Sequence, residues 1–274
     1  LPARLLGEEG RGTAFVVEQL IWTRLDTLLG VTGMMRRVLA EAVWHARHRS
    51  AFGAPLAQQP AMVNVLADLA LESEAASAAT MRIAAAFDSD DEPSESAFRR
   101  LALAVMKYWV CKRGAPMAAE ALECLGGNGY VEEAPMAQFY RDIEIGTVWE
   151  GSGNLIALDV LRALTREPET AAALVAECEL ARGADALLDA HLDRTKQELP
   201  ALAAAAPEDA QWSARRATED MALALQASLL VRYAPAAVSD AFCASRLSER
   251  RGLAFGDLPR GADGAAIVER ALAL

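Results

Sequence analysis

Aromatic side chains make up only 6% of the 274 residues, and β-branched residues are sparse. Sheets draw on both classes, so the shortage argues against a β-rich protein, and the dominance of Ala and Leu favours helix instead. Positive charge is also in deficit. The formal charge of −11 divides into −6 over residues 1–167 and −5 over residues 168–274, whereas nucleic-acid binders normally carry a basic face, because phosphate neutralisation supplies most of their affinity. The nearest approach to such a face, Arg246, Arg250 and Arg251 with Arg260, is too small a cluster. Cysteine is scarce: Cys111, Cys124, Cys178 and Cys243 show no CxxC or Cys/His spacing. Neither a zinc site nor a disulfide framework is suggested, and core thiols in a reducing cytoplasm are expected. No apolar run reaches the roughly 20 residues of a membrane span. Leu1-Pro2 opens no signal peptide and no initiator Met is present, so the expectation is a cytoplasmic fragment or processed product.

What is present is helical periodicity. After the turn-rich GEEGRG (7–12), apolar residues recur at helical spacing over residues 13–48, with Gly30 and Gly33 inside, where they could permit close helix packing. RSAFGAP (49–55) breaks that helix, and further helices are predicted over residues 58–87, 94–125 and 136–142, with a fifth ending near Arg166. Pro116 is expected to kink the third helix or be absorbed locally. Four long helices on short loops read as an antiparallel bundle, so the expected class is all-α, with an additional C-terminal helical subdomain over 168–274. In that part Ala184, Leu187, Leu188, His191, Leu192 and Leu199 form one stripe, residues 198–209 read as a linker, and a helix and a broken helical tail follow.

Three stretches carry polar groups beyond what a bundle needs. In TVWEGSGN (147–154), Glu150 stands between Trp149 and a Gly-Ser-Gly-Asn step. Ser152 capping a helix, with an acid beside its N-terminus, is one reading; a general base, partly desolvated and given room by glycines, is the other. LGGNGY (125–130) offers either amides for a phosphate or dinucleotide, or a glycine C-cap. Arg49 in RSAFG suits a pyrophosphate or simply a helix C-terminus. His45 and His48 read as surface or interface side chains and His191 as a satisfied core histidine; Met34-Met35 reads as packing.

The joint order of RSAFG (49–53), ECLGGNGY (123–130) and YRDIEIGTVWEGSGN (140–154) resembles the carboxy-terminal domain of the acyl-CoA dehydrogenase flavoproteins, whose motifs run R-x-x-F-G, L-G-G-x-G-[YF], R-D and E-G-[TS]. The resemblance spans about residues 5–166, with 1–12 resembling the last strand and exit of the family's β-domain and 13–167 its helical bundle. Residues 168–274 resemble the helical extension of the alkylation-response, AidB-like branch, which also favours W-E-G-S-G-N. The resemblance implies Glu150 as the base that removes an α-proton from an acyl-CoA thioester, a hydride then passing to FAD. It implies FAD contacts at Arg49, Phe52, Gly126, Gly127, Gly129, Ser152 and Asn154, the cofactor being held mainly by a neighbouring subunit, and a substrate pocket that includes Arg24 and Trp149. It further implies a homodimer or homotetramer and an electron-transfer partner.

Glu123 stands where many members place a cofactor-contacting glutamine, Pro60 replaces another, and Thr23 occupies the alternative position from which some relatives supply their base. The family's amino-terminal helical and middle β domains have no counterpart here, so this chain alone is expected to bind FAD weakly or not at all and to be inactive. Two other functions are open: a DNA-associated protein like the branch it resembles, and a non-catalytic helical oligomerisation module. The acidic balance argues against the first. Labelled duplex DNA titrated at low salt should show no salt-sensitive micromolar binding, and such binding would establish a nucleic-acid partner.

Overall fold

The computed structural model describes residues 4–5, 7–89, 92–249 and 252–273. Part of the expected β-domain exit at 1–12 therefore lies outside the described residues, as do Asp90 and Asp91 of the acidic loop and Arg250 and Arg251 of the basic cluster. The described residues of 1–12 form no strand; residues 9–10 are a turn, and α1 follows at once.

The architecture is all-α: an antiparallel four-helix bundle of α1 (Gly12–His48), α2 (Pro60–Phe87), α3 (Pro93–Cys124) and α6 (Gly153–Arg166). Between α3 and α6 come the single turn α4 (Gly127–Tyr130) and α5 (Met136–Ile143). The helical extension adds α7 (Pro168–Glu179), α8 (Ala186–Ala204), α9 (Pro207–Tyr233), α10 (Ala236–Arg246) and α11 (Gly264–Ala273). Four of these helices open on proline, whose missing N–H is an orphan of the first turn in any case. The break after α1 is a small hairpin, β1 (Ser50–Ala51) against β2 (Ala54–Pro55), antiparallel with Ala51 opposite Ala54.

Helix α3 is the axis of the assembly, packing against α1, α2 and α6 and also against α7 and α9. Phe98, Leu101 and Met106 of α3 meet Leu28 and Met35 of α1 and Leu66 and Leu69 of α2 in one buried cluster that continues into α9. Pro116 is absorbed, because α3 runs unbroken from 93 to 124. Close approach falls elsewhere than expected. A Cβ at Gly30 or Gly33 would meet nothing within 4 Å, whereas one at Gly114 would lie 2.9 Å from Val31 Cγ1 and one at Gly146 2.4 Å from Val31 Cγ2.

Two expectations for the extension are corrected. The linker shrinks to residues 205–206, since α8 continues to Ala204 past Pro200 and α9 begins at Pro207. Ala184 and Leu187 leave the buried stripe, which consists of Leu188, His191, Leu192, Thr195 and Leu199. The reason is the cap: the Asp185 carboxylate accepts from the Leu188 N–H at 2.8 Å, so the helix starts at 186. His191 is a satisfied core histidine, its Nε2 donating to the Asp220 carbonyl at 2.8 Å and its Nδ1 accepting from Arg194.

Ion pairs fasten extension to bundle. Arg246 of α10 pairs with buried Asp68 and, at 3.2 Å, with buried Glu72, which Arg113 also reaches at 2.9 Å. Burial raises the proton affinity of Glu72, but Arg113 and Arg246 outweigh it and hold the carboxyl below its ordinary range. Asp68 accepts in addition from the Gly256 N–H at 2.8 Å. Arg246 is thus a core cation and adds nothing to a basic surface. Removing one partner of such a cluster leaves charge buried without compensation. Arg246→Ala should cost about 3–5 kcal/mol in denaturant unfolding, and a loss below about 1 kcal/mol would contradict this role.

Candidate functional site

The segment from α5 to α6 does not continue as helix because its backbone turns left-handed. A 3₁₀ turn spans Glu144–Thr147, then Glu150 takes φ +56° and Gly151 φ +111° before Ser152 enters α6 in extended geometry. Only glycine suits position 151, where a Cβ would lie 2.7 Å from Leu155 Cδ2 and 2.9 Å from Ile156 Cδ1. Glu150 has no such excuse, and a non-glycine residue at positive φ persists only where its surroundings hold it there.

Two cations do so. Arg24 of α1 donates from Nε to the Glu150 carbonyl at 3.2 Å, and Lys107 of α3 donates from Nζ to the Gly151 carbonyl at 2.6 Å. Arg24 is fixed in turn by Asp159 at 2.8 Å, which also takes Arg100 at 3.1 Å and Arg162 at 2.9 Å. Burial alone would raise the Asp159 pKa, but Arg100, Arg24 and Arg162 outweigh it and hold the group below the ordinary carboxylate range. Ser152 occupies the N-cap position, yet its side chain makes no capping bond. The helix-capping explanation for TVWEGSGN therefore loses its main interaction.

Glu150 lines a cavity of about 300 Å³ with Trp149 and with Thr23, Asp26, Gly30 and Met34 of α1. Its Oε2 is buried with no hydrogen-bond partner. The open space above Gly30 serves this cavity instead of helix packing. Thr23, the alternative base position, faces the same space as Glu150. Trp149 is 57% exposed and forms a rim more than a cover.

A second cavity, of about 400 Å³, brings Arg49 together with Gly126 and Gly127, His45, Glu123 and Asn128. Gly126 has φ +59° and ψ −140°, a region for glycine, and a Cβ at Gly126 or Gly127 would meet nothing within 4 Å. Gly129 serves packing instead, being buried where a Cβ would fall 2.3 Å from the Leu122 carbonyl oxygen. The Arg49 side chain is exposed and makes no hydrogen bond or ion pair among the described residues. Burial and then the Arg49 charge hold His45 below the ordinary histidine range. Phe52 stands outside this cavity at the hairpin tip, 98% exposed with φ +54°.

Within one chain, then, Arg49 and the glycine loop meet, while Glu150 opens on a separate cavity. Arg24, expected in the substrate pocket, lines neither; it faces a third hollow of about 650 Å³ shared with Arg100 and Asp159. Asn154 is engaged by Arg215 of α9, whose Nε donates to its amide oxygen at 2.8 Å. Sequence reasoning missed Asp26 and Lys107. Asp26 follows Thr23 by one helical turn on the cavity face, and Lys107 is a lone charge in the apolar run LALAVMKYWVC. Arg215 left no local signal.

All four cysteines are free and buried. Burial pushes the Cys111 thiol up to about 11, and Cys124 and Cys243 up to about 12. The described residues hold no metal-binding cluster, and none of their helices is long and apolar enough to cross a membrane.

The family model for the acyl-CoA dehydrogenase C-terminal domain matches residues 10–165. The chain is 35% identical over 253 residues to the protein named "Putative acyl-CoA dehydrogenase AidB" of Escherichia coli (strain K12), covering 92% of this chain and 46% of that one. Its fold matches Caenorhabditis elegans ACDH-11, solved in complex with C11-CoA, at a TM-score of 0.80 and 22% identity, over 88% of this chain and 45% of the other. It also matches an acyl-CoA dehydrogenase of Bacillus anthracis, solved with FAD, at 0.73 and 18%, over 87% and 48%. The chain thus spans less than half the length of each of these three relatives. A match over more than half of the 274 residues, bracketing the Glu150 turn and the Arg49 cavity alike, makes this chain a member of the acyl-CoA dehydrogenase family of oxidoreductases through its C-terminal domain.

Proposed function

We propose that the chain serves as the helical C-terminal part of an FAD-dependent acyl-CoA dehydrogenase in which Glu150 is the base. The observation that carries this reading is the Glu150 carboxylate itself: it is aimed by a left-handed turn toward a cavity, with one oxygen buried and unbonded. A carboxylate so placed is available to accept a proton from carbon instead of being spent on a cap or an ion pair. Acyl-CoA is the substrate class proposed, supported by the C11-CoA complex of the similar ACDH-11 fold.

The residues present fit a flavin dinucleotide in part. Arg49 with Gly126 and Gly127 presents a cation that forms no ion pair among the described residues, beside open glycine backbone, suited to a pyrophosphate. Glu123 on the same wall opposes that charge. When bound, FAD supplies the acceptor for the hydride released from the acyl β-carbon. Glu150 takes and holds the α-proton, Trp149 narrows the rim, and Arg24 keeps the turn in place through the Glu150 carbonyl. Phe52, Gly129, Ser152 and Asn154 remain proposed contacts on the cofactor side.

The Arg49 and Glu150 cavities are separate within one chain, which supports a homodimer or homotetramer in which each cofactor is shared between subunits, with an electron-transfer partner to reoxidise it. These 274 residues alone supply one wall of that site, so the isolated chain is proposed to be inactive. A DNA-associated role gains no support, since Arg246 is committed to Asp68 and Glu72 in the core.

In the FAD-loaded protein containing this domain, Glu150→Gln should lower acyl-CoA oxidation about 10²–10⁴-fold with the fold intact by circular dichroism. An unchanged rate would show that Glu150 is not the base.

A further inference from the structure

We infer that Lys107 is a positioning residue for Glu150: its buried ammonium grips the Gly151 carbonyl and, together with Arg24 on the Glu150 carbonyl, locks the left-handed turn that aims the carboxylate into its cavity. This rests on the reading of Glu150 as the base. Lys107 is 1% exposed, in the middle of the helix that forms the axis of the bundle, and forms no salt bridge among the described residues. A lysine at such a depth loses its hydration without an ion-pair partner, and an apolar side chain of similar length would pack there at lower cost. Its one hydrogen bond among the described residues, at 2.6 Å, goes to the backbone of the turn.

The geometry explains why a long cation is needed. Glu150 and Gly151 are consecutive positive-φ residues, so their peptide planes are turned away from any helical acceptor pattern. Their carbonyls are held from opposite helices, by Arg24 of α1 and by Lys107 of α3. The pocket beneath, formed by Tyr108, Cys111, Lys112 and Gly153 around the Lys107 stem, is about 10 Å³ and leaves no space for rearrangement. Releasing the Gly151 carbonyl would free the turn to relax and swing Glu150 toward solvent.

The surroundings of the ammonium are themselves mostly cationic or neutral. The groups facing Lys107 are Arg24 from α1, Glu150 from the turn, and Cys111 and Lys112 from its own helix. Cys111 is a neutral thiol, pushed up to about 11 by burial. Burial holds Lys107 itself below the ordinary lysine range, with Arg24 and Lys112 acting in the same sense and Glu150 and Cys111 opposing. The other groups that share the Glu150 cavity or touch its turn are Asp26, Thr23 and Arg24.

The test uses Lys107→Met, with Lys107→Gln as a second variant that keeps a donor but no charge, and Cys111→Ala as a packing control one turn away. In the 274-residue chain, isotope-edited infrared of a 13C-labelled Gly151 carbonyl should show its amide I band moved to higher frequency in Lys107→Met, less so in Lys107→Gln, and unmoved in the control. In the FAD-loaded protein, kcat should fall about tenfold or more in Lys107→Met with KM little changed. The thermal midpoint of Lys107→Met should hold or rise, since an unpaired charge leaves the core. An unmoved Gly151 carbonyl band in Lys107→Met, or an equal movement in Cys111→Ala, overturns the proposal. Full activity in Glu150→Gln would sink the base assignment instead, and an inactive Glu150→Gln beside an unaltered Lys107→Met would sink the positioning role alone.

Discussion

A two-residue left-handed turn, Glu150-Gly151, is the constraint around which this bundle is arranged. Backbone at positive φ on a side-chain-bearing residue costs on the order of 1–3 kcal/mol, and the chain does not spread that cost along a flexible loop. It meets it locally with two charge-assisted hydrogen bonds, from Arg24 and Lys107, to successive carbonyls, each stronger than a neutral bond. The acid is thereby presented by helices α1 and α3 and not by a free loop, so its aim is as rigid as the bundle.

That rigidity reaches outward in layers. Asp159 gathers Arg24, Arg100 and Arg162 and so ties the turn to the middle of α6. Gly153 permits Lys112 and Arg215 to approach, since a Cβ there would lie 2.9 Å from Lys112 Cε, and Arg215 then brings α9 to Asn154. The helical extension is therefore coupled to the site, not appended to it, and its Arg246–Asp68–Glu72 cluster fastens it to α2. Deletion of the extension would remove a wall from the turn as well as a surface from the core.

The fold was largely legible because it rests on period and punctuation. Proline at 60, 93, 168 and 207 marks helix starts, and the long apolar stripes of α1 to α3 need no tertiary information to be read. Legibility failed where tertiary packing overrode local signals. The linker at 198–209 reads as broken because of Pro200, yet the helix carries the proline in its final turn. Gly30 and Gly33 read as packing glycines, yet the tight contacts belong to Gly114 and Gly146, whose neighbour Val31 lies far off in sequence. At the site, Glu150 and the Arg49 loop could be named from short motifs, since each needs glycine at fixed positions. Asp26, Lys107 and Arg215 could not, because their meaning lies in which helix faces which. Gly129 shows the limit of motif reading: it belongs to the loop by sequence but to the α3 terminus by contact, where a side chain would collide with the Leu122 carbonyl.

The central claim is that the Glu150 carboxylate exchanges a proton with carbon inside its cavity. Deuterium incorporation at the acyl α-carbon, measured by mass spectrometry in deuterated water with the FAD-loaded protein and an acyl-CoA thioester, addresses that step without reference to electron transfer. The account predicts exchange in the wild-type protein and its near-complete loss in Glu150→Gln. Equal exchange in both would show that another group moves the proton and would contradict it.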